Sequence, residues 1–123
     1  MSRALDDLSP RMRPLADRFL AKLMEARIPV MIVTTTRTAQ EQAEKVANGL
    51  SWTLASKHLT GDAIDVAPYM VYDLHGDDKA LWDEHDPIWL RIGNLGQACG
   101  LKWGVVKPNG ARIDLGHFEY PTA

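Results

Sequence analysis

Apolar and polar positions along this chain recur with a period that changes from segment to segment. Leu15, Phe19, Leu20, Leu23 and Met24 return at helical spacing and predict an amphipathic helix over 10–27. Ser9 followed by Pro10 marks its start, because proline suits the first helical position after a hydroxyl cap. "IPVMIVTTT" then brings a run of β-branched residues and predicts a buried strand over 30–35. "TAQEQAEKVANG" opens with Thr38, places Glu41 three residues later as a capping box, and closes at Gly49, which predicts a short second helix.

The period shortens again beyond a loop predicted over 50–61. In "DAIDVA", Ala63, Asp65 and Ala67 point one way, and Ile64 and Val66 the other. Residues 68–85 are polar and irregular and read as a surface excursion. Asp86 and Pro87 start a third helix, "DPIWLRIGNLGQAC", which ends at Gly100. "LKWGVV" and "ARIDLGHFEY" flank the turn "KPNG" and read as a hairpin. Strands that neighbour each other in sequence favour an antiparallel sheet, so the expected fold class is α+β, a mainly antiparallel sheet with three helices.

Composition narrows the classes. At 123 residues the chain is expected to be one domain, 1–123. A hydrophobic fraction of 46% with 24% charged residues belongs to a folded protein rather than a disordered one. A net charge of −2 provides no electrostatic footprint for nucleic acid and no basic face for an anionic membrane. Cys99 stands alone, which excludes an intramolecular disulfide and a multi-cysteine zinc cage, and reads as a small buried thiol. Asp6, Asp7 and several arginines interrupt the first twenty residues where a secretory signal would need an apolar core. The expectation is synthesis in the cytoplasm without a signal peptide, and no membrane insertion.

The candidate chemistry lies in "SKHLTGDAIDVAP". A carboxylate in the middle of a buried strand is costly unless a cation or several hydrogen bonds satisfy it, so Asp65 has either a local partner or a metal. Zinc accepts imidazole nitrogen and carboxylate oxygen, and a catalytic zinc keeps one position for water. His58 precedes Asp65 by enough chain for a loop to bring both to one ion, and "IDLGHFEY" supplies His117. Regular alternation sends Asp114 and His117 to opposite faces of that strand, so a shared site demands a bulge or bend, expected at Gly116. Asp62 is a rival to Asp65, but its place in the alternation makes it a turn or strand-edge residue. His75 and His85 read as solvated residues, and Trp82 and Trp89 as packing residues.

"SKHLTGDAIDVAP", then "WG" and "DLGHFEY", resembles the zinc D,D-peptidases of the VanX and VanY type, and most nearly the phage and bacterial L-alanyl-D-glutamate peptidases that cut peptidoglycan stem peptides. Ser56, His58, Gly61, Ala63, Asp65, Asp114 and His117 match that family's two motifs, "TTTRTAQEQ" resembles its arginine segment, and "GLKWG" the approach to its last hairpin. The resemblance runs over about 30–120 and implies a hedgehog/D,D-peptidase-like fold. It implies one zinc per chain on His58, Asp65 and His117, with Asp114 as general base and later acid. Aspartate rather than glutamate at that position points to the endopeptidase branch. Arg37 would meet a substrate carboxylate or a developing oxyanion, as a permanently charged fork can. Ser56 would bond near the site or shape its loop, Trp103 would wall the cleft or pack in the core, and Glu119 would orient His117 or stand as a surface glutamate.

The function so implied is a zinc metallopeptidase, an endolysin-like L-alanyl-D-glutamate endopeptidase acting as a monomer on murein stem peptides. A lytic enzyme made in the cytoplasm would reach the periplasmic wall through a holin-type release partner. The competing readings are a D-alanyl-D-alanine carboxypeptidase or dipeptidase on the same scaffold, and a non-catalytic zinc-stabilised cell-wall-binding module.

Overall fold

In the computed structural model, which describes residues 1–50, 56–70, 79–80 and 85–121, helix α1 (Met12–Glu25) leads into strand β1 (Val30–Thr34), helix α2 (Ala39–Ala47) and strand β2 (Ala63–Met70). Strand β3 (Lys79–Ala80), helix α3 (Ile88–Ala98) and the hairpin β4 (Lys102–Val106) and β5 (Arg112–Glu119) complete the described elements. The sheet order is β1-β2-β5-β4, β3 pairs with β2, and every pairing is antiparallel. The α+β class with three helices is therefore what the fold has.

Local chemistry explains most of these boundaries. Ser9 Oγ accepts from Met12 N at 3.2 Å, so the hydroxyl caps α1 across the turn that holds Pro10. The α2 capping box is complete: Thr38 Oγ1 accepts from Glu41 N at 3.1 Å, and Glu41 Oε1 accepts from Thr38 N at 3.0 Å. Helix α1 ends less predictably. Arg27 takes the left-handed φ of 59° that glycine usually fills, and Ile28 N bonds back to Leu23 O at 2.9 Å.

Two expectations change. The strand predicted as buried is the sheet's edge, so Val30 to Val33 are half-buried and only Thr34 of β1 is buried. The surface excursion expected from residue 68 does not begin there, because β2 runs through Pro68 to Met70, and residues 71–78 and 81–84 of the expected excursion lie outside the described residues. Proline cannot donate to the ladder, but Tyr69 N donates to Pro29 O at 2.9 Å, so pairing resumes at the next residue, where β3 also joins. His75 and Trp82 lie outside the described residues.

One face of the sheet is buried under α1 and α3. Met12, Ala16, Phe19 and Leu23 line the inner stripe of α1 and meet Ile64 and Val66 of β2, Ile92 of α3, Trp103 of β4 and Phe118 of β5. Cys99 is buried in the same cluster, as expected, and its thiol pKa is raised by that burial. Helix α3 presses close to the sheet: a Cβ on Gly93 would lie 2.3 Å from the Trp103 ring, and one on Gly96 2.3 Å from Phe118. Because side chains alternate along a strand, Asp65 and His117 leave the face opposite to Ile64 and Phe118.

Candidate metal centre and active site

The pairing of β2 with β5 builds the centre of the site. Asp65 stands opposite His117 in the register, and His117 Nδ1 lies 2.9 Å from Asp65 Oδ1. The other ring nitrogen, Nε2, lies 2.9 Å from Glu119 Oε1, two residues along the same strand. Burial opposes protonation of His117, but a carboxylate at each ring nitrogen outweighs it and pushes its pKa up to about 9. Burial likewise disfavours ionised Asp65, yet the His117 hydrogen bond and the nearby His58 hold the carboxyl below the usual carboxylate range.

His58 approaches from a short 3-10 turn, Lys57–Leu59, whose first amides Ser56 organises: its Oγ accepts from His58 N at 3.2 Å. Ser56 thus shapes the loop. The His58 ring is buried, and its Nδ1 is 2.9 Å from the carbonyl of Thr35. A carbonyl can only accept, so Nδ1 donates to it, and Nε2 is the ring nitrogen left to offer a lone pair to a cation. That Nε2 is 3.0 Å from Asp65 Oδ2, but the contact lacks hydrogen-bond geometry and the nitrogen is buried without a partner. An unprotonated nitrogen facing a carboxylate is unfavourable unless a positive charge lies between them.

His58, Asp65 and His117 each offer one ligand atom, all within 4.8 Å of one another, an arrangement able to hold a metal ion. Two imidazoles and a carboxylate suit zinc, and three protein ligands leave a tetrahedral position open. Thr35 O behind His58 and Glu119 behind His117 fix the two rings, as partners of metal-ligating histidines do.

Asp114 reaches the same cleft by breaking the strand. Trp103 pairs with Phe118 but Val105 pairs with Ile113, so residues 114–117 of β5 bulge opposite the single residue Gly104. The relief expected at Gly116 comes instead from Asp114 and Gly104, each at a φ of 59°. A Cβ on Gly104 would lie 2.6 Å from Ile113 O, so the bulge closes only over a glycine. Gly116 has another role, since its Cα backs onto the carbonyl of Val66, 2.3 Å from where a Cβ would be. Asp114 then lines a cleft of about 320 Å³ with Val33, Asp65, Val66, Trp89, Leu115 and Gly116. Burial raises the pKa of Asp114, the neighbouring Asp65 charge adds to the rise, and His117, His58 and Arg37 oppose it.

Arg37 lies beside Asp65. Its backbone N donates to His58 O at 3.1 Å, its Nη2 lies 3.5 Å from Asp65 Oδ2, and its Nη1 donates to Gln42 Oε1 at 3.1 Å. Its Nε is buried with no hydrogen-bond partner.

Other candidates fall elsewhere. Trp103 packs in the core, where Nε1 donates to Leu115 O at 2.8 Å and the Arg112 guanidinium covers its ring. The tryptophan lining the cleft is Trp89. Asp62 is a strand-edge residue, as its alternation predicted, bonded to Arg11, Ser9 and Thr60. His85 is exposed. Sequence reasoning also missed Thr35 and Gln42. A backbone carbonyl leaves no trace in composition, but Gln42 sits four residues before the half-buried Val46, on the stripe that an amphipathic helix turns inward.

The family described as phage L-alanyl-D-glutamate peptidase matches residues 2–115. The L-alanyl-D-glutamate peptidase of Escherichia phage T5 is 39% identical over 77 residues, covering 58% of this chain and 52% of that protein. The match thus spans about half the length of that curated relative. The crystal structure of the Serratia marcescens L-Ala D-Glu endopeptidase ChiX superposes with a TM-score of 0.69 at 23% identity, over 95% of this chain and 83% of that one, and so shares the fold. With a family match running from the first turn to the edge of the last bulge, the chain belongs to the phage L-alanyl-D-glutamate peptidase family.

Proposed function

We propose that this protein is a zinc-dependent peptidoglycan peptidase, an endolysin-like L-alanyl-D-glutamate endopeptidase. The observation that carries the reading is the buried His58 Nε2, which has no hydrogen-bond partner and is held by Thr35 to face Asp65 and His117, while Asp114 lines one cleft with Asp65. His58 Nε2, Asp65 and His117 Nδ1 hold the cation. When bound, zinc supplies a Lewis acid and makes water ionisable near neutral pH. Asp114, with its raised pKa, takes a proton from the attacking water and returns it to the leaving amine. Arg37 binds a substrate carboxylate or steadies negative charge growing on the scissile carbonyl oxygen. Val33, Trp89 and Leu115 give the cleft an apolar wall beside these polar groups.

Among the described residues three side chains can reach one ion, and three protein ligands favour catalysis over a purely structural zinc, which four normally enclose, so a non-catalytic wall-binding module is the weaker reading. The enzyme acts as a monomer on the periplasmic wall, after synthesis in the cytoplasm and passage through a holin-type partner. Digestion of purified murein, followed by mass spectrometry of the fragments, tests the reaction. Cleavage between L-alanine and D-glutamate is expected. Loss of terminal D-alanine alone would instead establish the D,D-carboxypeptidase reading. Elemental analysis is expected to find about one zinc per chain.

A further inference from the structure

We propose that Gln42 is a positioning residue for Arg37, setting the guanidinium beside Asp65 through a polar clamp across the start of α2. The inference rests on the peptidase reading for its kinetic consequence, but its geometry stands apart from it.

Gln42 is the buried residue of α2, 1% exposed, on a helix whose other side chains are half-buried or exposed. A helix normally docks through an apolar side chain at such a place, because burying an amide is unfavourable without hydrogen bonds. The Gln42 amide oxygen accepts from Arg37 Nη1 at 3.1 Å. The two residues hold a defined relation to the helix start. Thr38 is the cap, so Arg37 precedes the cap and Gln42 is the fourth helical residue. Those two positions commonly carry an apolar pair that fixes the angle at which the chain enters the helix. Here an arginine and a glutamine take them, and a hydrogen bond replaces the apolar contact.

The replacement fixes more than an entry angle. Arg37 is tied to His58 O through its backbone N, and to Gln42 through Nη1, which leaves its buried Nε unpartnered. The carboxylate near it, Asp65, is 3.5 Å away and shared with both histidines. Gln42 is therefore the neutral acceptor that orients the fork without neutralising it. An acidic residue there would compete with a substrate carboxylate for the positive charge, whereas an amide leaves that charge available.

Two measurements test the proposal on the zinc-loaded full chain. In the first, kcat and KM on a murein stem peptide are compared for wild type, Gln42→Met, Arg37→Ala and the double variant. Gln42→Met is expected to lower kcat/KM roughly ten- to hundred-fold, chiefly through KM, and to add nothing in the Arg37→Ala background. An equal loss in both backgrounds would overturn the proposal, because Gln42 would then act independently of Arg37. In the second, the Arg37 Nε–H resonance is followed by NMR in wild type and in Gln42→Glu, which keeps the acceptor if the methionine variant fails to fold. A sharp, slowly exchanging signal is expected in both proteins. A signal that exchanges in wild type as fast as that of an exposed arginine would overturn the positioning claim. Absence of any hydrolysis by wild type would sink the peptidase reading instead, and the NMR result would still decide the clamp.

Discussion

Asp65 and His117 face each other across adjacent antiparallel strands, with His58 Nε2 3.0 Å from the second oxygen of Asp65 and Glu119 2.9 Å from the second ring nitrogen of His117. The row His58–Asp65–His117–Glu119 thus alternates nitrogen bases and carboxylates, with Asp65, His117 and Glu119 fixed by strand register and His58 by the 3-10 turn before β2. A rigid sheet holds such groups to a tighter geometry than loops would, which favours a site that gathers donors around one ion.

The Glu119 contact predicts a graded effect on metal affinity. Glu119→Gln keeps a side chain of the same shape but removes the charge that holds the His117 ring. Zinc affinity is expected to fall about 10–100-fold, while His117→Ala loses the metal altogether. Competition titration with a chromophoric chelator measures both, and unchanged occupancy in His117→Ala would remove that residue from the ligand set.

Asp114 is expected to act on turnover and not on metal binding. Asp114→Asn should reduce kcat by about 10²–10⁴-fold, with zinc content equal to wild type. Full activity in that variant would assign the proton transfer to another group.

Gly104 gives a test of how the bulge serves the site. Gly104→Ala places a methyl 2.6 Å from Ile113 O at a left-handed φ, and should cost about 1–3 kcal/mol of stability. Gly110→Ala is the comparison, because it has a left-handed φ of 86° and open space around it. Chemical denaturation beside kinetics is expected to show Gly104→Ala losing activity well below its unfolding range, since Asp114 shifts, and Gly110→Ala keeping it. Equal behaviour of the two would detach the bulge from function.

Acid stability should depend on Asp62. A hydrogen bond from Arg11, opposed by burial and helped by Ser9 and Thr60, holds the Asp62 carboxyl below its ordinary pKa of 3.8. A folded-state pKa lower than the unfolded one gives stability that is present above about pH 4 and is lost as pH falls further. Asp62→Asn is therefore expected to destabilise at pH 7 and to flatten the loss of stability below pH 4. Unfolding midpoints measured from pH 7 to pH 2 check it, and parallel curves for the two proteins would contradict it.

Much of this molecule was legible one residue at a time. The cap at Ser9, the capping box at Thr38 and Glu41, the stripe of α1, the hairpin around "KPNG" and the alternation that turns Asp65 away from Ile64 are local facts, set by dihedral preference and by periods of 3.6 and 2. Pairings between distant segments were not legible in the same way. That β1 lies at the edge, that β2 continues past Pro68, and that Asp114 leaves the strand by a left-handed residue opposite Gly104 all depend on which backbone lies alongside.

The amino-acid order by itself determined most of the elements, the inward faces of α1 and β2, and the donor types at His58, Asp65 and His117. Only the tertiary structure decided that those donors converge, that the Thr35 carbonyl sets the His58 tautomer, and that Gln42 holds Arg37. The reason is physical: propensity acts over a few neighbouring residues, whereas a site of this kind is fixed by hydrogen bonds between segments that only the register of the sheet brings into reach.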